Sequence, residues 1–324
     1  MDEQREKKEN DREGTVRAVC ISDRRGIQKS AVPEAVFQEH WGIEDDAHAG
    51  NWHRQVSLLS YEKVEDFKRR GADVADGSFG ENLVVEGIDF RMLPVGTVLK
   101  CKDVVLRITQ IGKECHSHCA IFNKMGECIM PTQGVFSEVL KGGKIRPGDK
   151  MTVAAPDPDR PFSAAVITLS DSGSRGERED LSGPEAKRIL EDAGFEVQEM
   201  LLLPDEKESL KKELIRLADQ RQISLIVTTG GTGFSLRDNT PEATKEVMTK
   251  DASGIAEAIR SASMKYTDRA MLSRGMSVIR NGTLIINLPG SPKAVKESME
   301  VFMGCIGHGL KVLRGTVKNC ADER

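Results

Sequence analysis

The first half of the chain carries its apolar residues in short runs broken by glycine and proline. Val16–Ile21, Val56–Ser60, Asn82–Val85, Thr97–Cys101 and Val104–Ile108 read as strands. Lys102-Asp103 separates the last two and is a candidate hairpin turn, although neither residue is the glycine such turns favour. One helix is predicted over Tyr61–Arg70, stopped by Gly71. Short strands with frequent turns predict a mostly-β, barrel-like domain.

The second half alternates between strand and helix patterns. Ala164–Leu169, Phe195–Leu202 and Ile223–Thr228 read as strands, Gly183–Ala193 and Lys207–Gln220 as helices, and Thr240–Thr267 as two further helices. Ser277–Arg280 and Thr283–Asn287 flank Asn281-Gly282, a strong hairpin signal, and a last helix follows Pro289-Gly290. This order predicts an α/β domain, an open mixed sheet with helices on both faces and an antiparallel element near its end. Between the halves, Ala155 to Pro161 holds three prolines in seven residues, a composition that denies both helix and central strand. The expected organisation is a charged tail over 1–13, a β domain over 14–154, a linker over 155–162 and an α/β domain over 163–324.

Composition narrows the function classes. With 38% hydrophobic and 30% charged residues, the chain has the balance of a soluble globular protein. A net charge of −4 argues against general nucleic-acid binding. No apolar run approaches the ~18 residues needed to span a bilayer. The charged segment from Met1 to Gly14 lacks the apolar stretch of a secretory signal and is expected to be disordered. Seven cysteines in such a chain read as reduced thiols, hence a cytoplasmic protein.

The chemistry of the second half gathers in loops that should follow strands. Leu225–Val227 ends in Thr228-Thr229-Gly230-Gly231-Thr232-Gly233, followed by Arg237-Asp238 and a helix start at Thr240-Pro241-Glu242. A strand emptying into a glycine turn and then a helix presents backbone N–H groups to phosphate. The loop lacks the Gly-Lys-Ser/Thr ending of a P-loop and is not G-x-G-x-x-G. Ser170-Asp171, Asp180-Leu181-Ser182-Gly183 and Pro204-Asp205-Glu206 occupy two other strand ends, and Ser291-Pro292-Lys293 opens the last helix with a cap and a cation. Glycine after a strand is often only a turn, and Asp205 and Ser291 are adequate as helix caps. The functional reading comes from convergence: Asp205, Asp238, Ser170, Ser291 and Lys293 would line one rim.

In this order, and with Leu272-Ser273-Arg274 and Asn287-Leu288-Pro289-Gly290, residues 163–314 resemble molybdenum-cofactor biosynthesis proteins of the molybdopterin adenylyltransferase type. Asn239 departs from the valine usual there. The resemblance implies attack of molybdopterin's terminal phosphate on the α-phosphate of Mg-ATP, with release of pyrophosphate. It implies Asp205 and Asp238 as catalytic carboxylates and magnesium ligands. Nucleotide phosphate would lie at Thr229, Gly230, Gly231, Thr232 and Gly233 with Ser170 and Asp171. Ser291, Lys293, Arg237, Ser273 and Arg274 would hold the pterin or its phosphate. It also implies a homotrimer through this domain. The alternative is a molybdopterin carrier or chaperone without turnover.

The first half has one chemically dense stretch, Cys115-His116-Ser117-His118-Cys119, with Cys128 nearby. The spacing is tight for a structural zinc site, though Cys128 could complete one. A buried strand-end cysteine and a reactive thiol, with Lys113 and the histidines favouring thiolate at Cys115, are the other readings. With His48-Ala49-Gly50, His53-Arg54-Gln55-Val56-Ser57, Gly80-Glu81-Asn82-Leu83, Leu93-Pro94-Val95-Gly96, Gly134-Val135-Phe136 and Arg146-Pro147-Gly148-Asp149, residues 14–153 resemble the MOSC domain. The resemblance implies that Cys115 handles sulfur or pterin-bound metal. His48, His53 and Arg54 would bind an anionic cofactor, or serve only as satisfied structural polar groups. Both halves point to one cofactor, and their fusion would pass an intermediate at high effective concentration, with other molybdenum-cofactor enzymes as further partners.

Overall fold

The computed structural model describes residues 13–115 and 120–316. The charged segment 1–12 and the His116–Cys119 part of the Cys/His stretch lie outside the described residues. The chain forms two compact units divided between Asp157 and Pro158, within the proline-rich stretch.

The first unit contains β1 (Glu13–Ile21), β2 (Ser30–Val32), β3 (Ala35–Gln38), β4 (Gly42–Ile43), β5 (Val56–Ser60), β6 (Leu83–Glu86), β7 (Val98–Cys101), β8 (Val104–Ile111), β9 (Val135–Lys141), β10 (Gly143–Ile145) and β11 (Lys150–Ala154). They run in the order β11-β7-β8-β9-β5-β6-β1, and β1 pairs back onto β11, which closes a seven-strand barrel. β5 and β6 are parallel, so the chain between them must cross over, and it does so through the helix Tyr61–Arg69. Alternate residues face in and out. Val56, Leu58, Leu83, Val85, Leu106 and Ile108 fill the barrel, while Leu59 and Val84 meet Val64 and Phe67 of the helix outside it.

Among the described residues of this unit six strands, β2, β3, β4, β9, β10 and β11, escaped the sequence reading. β2, β3, β4 and β10 are each of two to four residues, too short for a period to show. β8 runs three residues beyond the expected end at Ile108, because its polar residues are bonded rather than solvated. Thr109 Oγ1 donates to the Phe136 carbonyl at 3.2 Å and Gln110 Nε2 to the Gly112 carbonyl at 2.7 Å. The Lys102-Asp103 turn forms with Lys102 at φ 53°, the left-handed conformation that glycine would take more easily.

The second unit is a six-stranded mixed sheet of β12 (Ser163–Leu169), β13 (Glu196–Leu203), β14 (Leu225–Thr229), β15 (Lys250–Asp251), β16 (Ser277–Arg280) and β17 (Thr283–Leu288), in the order β13-β12-β14-β17-β16-β15. β13, β12, β14 and β17 are parallel, and the β16–β17 hairpin supplies the expected antiparallel element. Every residue of β14 is buried, as a central parallel strand covered on both faces requires. Val166, Val227 and Ile286 join one core with Phe302 and Ile306 of the helix Pro292–Arg314. Their neighbours Ile167, Ile226 and Ile285 join the other with Leu210 and Leu214 of the helix Lys207–Ile215.

Two expectations need correction. The helix predicted to Gln220 is α-helical only to Ile215, and Arg216–Gln220 forms a π-helical turn. A five-residue turn brings Arg216 and Arg221 onto the same carboxylate, Glu199 on β13, at 2.5 and 2.8 Å. The region 240–267 holds the helices Thr240–Val247 and Gly254–Ser263, with the edge strand β15 inserted between them.

Candidate active site

The strand order creates the site. From β12 the chain moves to β13 on one side, then returns past β12 to β14 on the other. Loops leaving the carboxyl ends of β12 and β14 therefore diverge, and a crevice opens between them. Four loops meet there, following β12, β13, β14 and β17.

Ser170 ends β12 and caps the short helix Asp171–Ser174, its Oγ accepting from Gly173 N at 3.0 Å. Asp171 is bonded reciprocally to the β13 loop. Asp171 N donates to Asp205 Oδ2 at 2.9 Å, and Asp205 N donates to Asp171 Oδ1 at 3.0 Å. Arg237, from the β14 loop, completes the link through a fork: Nε to Asp171 Oδ2 at 2.9 Å and Nη2 to Asp171 Oδ1 at 2.8 Å. The Arg237 bonds, then the Asp205 N–H, hold the Asp171 carboxyl below its ordinary range. Asp205 shifts the other way. Burial raises its pKa, and the charges of Asp171 and Asp238 add to the effect.

The glycine loop is tightly determined by packing. Gly230 (φ 98°) and Gly231 (φ 63°) are both left-handed; a Cβ on Gly230 would lie 2.4 Å from the Leu169 carbonyl, and one on Gly231 2.4 Å from Thr240 Oγ1 and 3.3 Å from Asp205 Oδ1. These glycines are required by the close approach of three loops, with or without phosphate. Thr240 Oγ1 donates to the Gly230 carbonyl at 2.9 Å, fastening the helix start to the loop. Asp238 folds back toward the glycines, its Oδ2 accepting from Ser235 N at 2.9 Å and lying 2.9 Å from where a Gly233 Cβ would sit.

The remaining candidates divide. Thr229 is fully buried and its hydroxyl donates to the Pro289 carbonyl at 2.8 Å, so it joins the β14 and β17 loops. Thr232 is also buried. Arg274 N donates to the Thr232 carbonyl at 2.9 Å and Nε to the Gly233 carbonyl at 2.7 Å, while its other nitrogens reach Glu242 and the Asp238 carbonyl. That is a clamp on the glycine loop. Ser273 Oγ accepts from Gly275 N at 3.4 Å. Ser291 Oγ caps the last helix by accepting from Ala294 N at 3.2 Å, and the Lys293 side chain is exposed, 3.9 Å from Glu297. Gly290 packs against Gly230, which sets this helix start beside the glycine loop. Thr240 and Asn287, named in the sequence only as parts of motifs, contribute structurally. Asn287 Nδ2 donates to Thr228 and Thr244, both at 3.0 Å, beneath the loop.

The site's chemistry fits a magnesium–polyphosphate ligand. Asp205 Oδ1 faces the glycine turn, Asp238 is close enough to raise the Asp205 pKa, and carboxylate oxygens suit a hard cation.

The first unit holds a second polar cluster. Lys29 and Asp46 form a buried ion pair, and Asp46 also accepts from Ser22 N at 3.1 Å, Asn82 Nδ2 at 3.2 Å and His48 N at 2.9 Å. Burial alone would raise the Asp46 pKa, but hydrogen bonds from His48 and Lys29 outweigh it and keep the carboxylate ionised; burial lowers that of Lys29. His48 Nδ1 lies 3.1 Å from Lys29 Nζ. His53 Nε2 meets Gln110 Oε1 at 3.0 Å, and Gln110 in turn binds the Gly112 carbonyl, at the start of the segment leading to Cys115. The Arg54 guanidinium lies 4.8 Å from the Trp52 ring and 5.6 Å from that of Phe136. Cys115 is exposed, whereas Cys20 and Cys101 are core thiols that burial pushes up to about 12 and about 11. Of the zinc candidates, Cys115 and Cys128 are described; among the described residues no group of three or more His, Cys, Asp or Glu could hold a metal. Lys29, Asp46, Asn82 and Gln110 organise this cluster, yet only Asn82 lay within a recognised motif.

An open α/β sheet with carboxylates, an arginine fork and a glycine turn gathered at its switch point defines an α/β protein of the doubly wound kind. Residues 165–308 match the family described as a probable molybdopterin binding domain, and residues 45–152 match the MOSC domain. The molybdopterin adenylyltransferase of Helicobacter pylori strain J99 is 42% identical over 152 residues, covering 46% of this chain and 86% of that protein. That of Escherichia coli K12 is 39% identical over 138 residues, covering 42% and 70%. The molybdenum cofactor synthesis protein cinnamon of Drosophila melanogaster is 38% identical over 149 residues, covering 46% and 25%. The chain belongs to the molybdopterin-binding family of molybdenum-cofactor biosynthesis proteins, with a MOSC domain preceding the family domain. Its C-terminal unit is homologous to enzymes named molybdopterin adenylyltransferase.

Proposed function

We propose that the C-terminal unit adenylylates molybdopterin. An oxygen of the terminal phosphate of molybdopterin attacks the α-phosphorus of ATP; the bond to the β-phosphate breaks, pyrophosphate leaves and a phosphoanhydride forms. The observation that carries this reading is the convergence of Asp205, Asp238 and the glycine turn at one crevice. Such a transfer needs positioning and charge neutralisation more than a protein nucleophile. Asp205 and Asp238 would hold the magnesium ion, which when bound neutralises charge on the phosphates. Backbone N–H groups of Gly231–Gly233 face the phosphates, with Ser170 and Asp171 on the opposite lip, while Gly230 N donates to the Leu288 carbonyl at 3.2 Å. The helix start at Ser291 and Lys293, with Ser273, takes the pterin end, and Arg274 keeps the loop in shape. The protein acts as a homotrimer through this unit.

The MOSC unit handles pterin-bound metal or sulfur through Cys115, with His48, His53 and Arg54 around the anionic ligand. Support comes from the exposure of Cys115 and its connection through Gly112 and Gln110 to His53.

Purified protein given molybdopterin and Mg-ATP should release pyrophosphate, and Asp205→Ala or Asp238→Ala should abolish release. Binding of molybdopterin with no pyrophosphate from the unaltered protein would instead identify a carrier.

A further inference from the structure

We propose that the Asp171–Arg237 ion pair is a latch across the loops of the site and that substrate phosphate opens it. The proposal rests on the adenylylation reading and adds how the site admits its nucleotide.

One carboxylate joins three loops. Asp171 follows β12, receives Asp205 N from the β13 loop at 3.0 Å, and receives the Arg237 fork from the β14 loop at 2.8 and 2.9 Å. Two parallel N–H···O bonds are also the geometry with which a guanidinium grips phosphate, so the carboxylate occupies the place a phosphate would take on Arg237. The pair is built to exchange. Its side chains are 54% and 29% exposed, where an isolated ion pair contributes little. Arg237 lies in the exposed stretch Phe234–Arg237, with Leu236 98% exposed, so little packing resists its movement. Arg274, the other arginine bonded to this loop, cannot take that part, because its nitrogens are committed to Glu242 and to the carbonyls of Gly233 and Asp238.

Exchange breaks no covalent bond. The fork leaves Asp171 for phosphate oxygens, and Asp171 N still donates to Asp205 Oδ2, so Asp205 keeps its orientation. Arg237 is therefore a phosphate-binding residue that Asp171 holds until phosphate arrives. A latched arginine lowers apparent affinity by the fraction of molecules already open, so removing the latch should tighten binding while removing the arginine should weaken it.

The test is calorimetric titration of the full chain with ATP and separately with inorganic pyrophosphate, using the unaltered protein, Asp171→Asn, Arg237→Gln and the double variant. Arg237→Gln should weaken pyrophosphate binding roughly tenfold, the usual effect of losing a charged hydrogen-bond donor. Asp171→Asn keeps an acceptor for Asp205 N and should tighten binding severalfold. In the Arg237→Gln background that gain should vanish. A gain that persists there would mean only reduced negative charge at the rim, and would overturn the latch. Weaker binding in Asp171→Asn would overturn it equally, while adenylylation still stood. Failure of the unaltered protein to bind either ligand would remove both. As a measurement free of variant folding, the Arg237 Nε–H resonance, assigned by its loss in Arg237→Gln, should shift on saturation with pyrophosphate; an unmoved resonance contradicts the exchange.

Discussion

Burial lifts the Asp205 carboxyl above the ordinary aspartate range, and the charges of Asp171 and Asp238 push it further. Under the proposed function its working form is the carboxylate. In the metal-free protein, protonation of Asp205, followed by NMR titration, should therefore have its midpoint at a higher pH than an exposed aspartate gives; a midpoint at or below pH ~4 would contradict it. Glu81 gives a stability prediction. It is fully buried, accepts from Gly77 N at 2.7 Å and Phe79 N at 2.9 Å, and burial raises its pKa from 4.5 to about 7. Between those values the folded state binds the extra proton, so this group's contribution is present at acid pH and is lost as pH rises through about 7. The slope is at most about 1.4 kcal/mol per pH unit, and Glu81→Gln should flatten the unfolding free energy between pH 5 and 7, read by urea titration. Residues of the site were legible where a short motif fixes them, as with Gly230–Gly233 and Asp238. The Lys29–Asp46–His48 cluster was not, because its ion pair spans 17 residues and no local spacing announces it.

At the scale of elements, the glycine loop is held from two sides, by Thr240 at the helix it feeds and by Arg274 ahead of β16. Arg274→Ala removes the bonds to the Gly233 and Asp238 carbonyls together. The expected cost is about 1–3 kcal/mol in chemical denaturation, with pyrophosphate release reduced at least tenfold through a misplaced Asp238. Unchanged activity would show that the loop keeps its shape without the clamp. The role of Arg274 could not be read from the chain, since it depends on an approach from 41 residues away. Elements with several turns or a full alternating period were legible: β5 and β16 occupy the predicted spans, and the parallel strands of the second unit fall within one or two residues. Those that failed were the two- to four-residue strands β2, β3, β4, β10 and β15, the longer β9 and β11, and the π turn at Arg216–Gln220, which follows from a tertiary pairing with Glu199. The sheet itself depends on alternate faces. Ile226→Ala in the central strand should cost about 2–5 kcal/mol, measured by the same denaturation.

At the scale of the molecule, two units with separate cores share one chain. Under the proposed function, fusion would raise the effective concentration of one unit's product at the other, so the two halves expressed separately should support less cofactor formation than the fusion; equal flux would remove that advantage. Light scattering on the 35.6 kDa chain should give a trimer, and a monomer at micromolar concentration would contradict the proposed assembly. The central claim is that the crevice at the β12–β14 switch point transfers an adenylyl group to molybdopterin. It is tested most directly with ATP radiolabelled at the α-phosphate, incubated with molybdopterin, magnesium and the intact protein. The account predicts label in a pterin species with one pyrophosphate released per transfer, and loss of both in Asp238→Ala. Label remaining in ATP while molybdopterin is bound at full occupancy would contradict it.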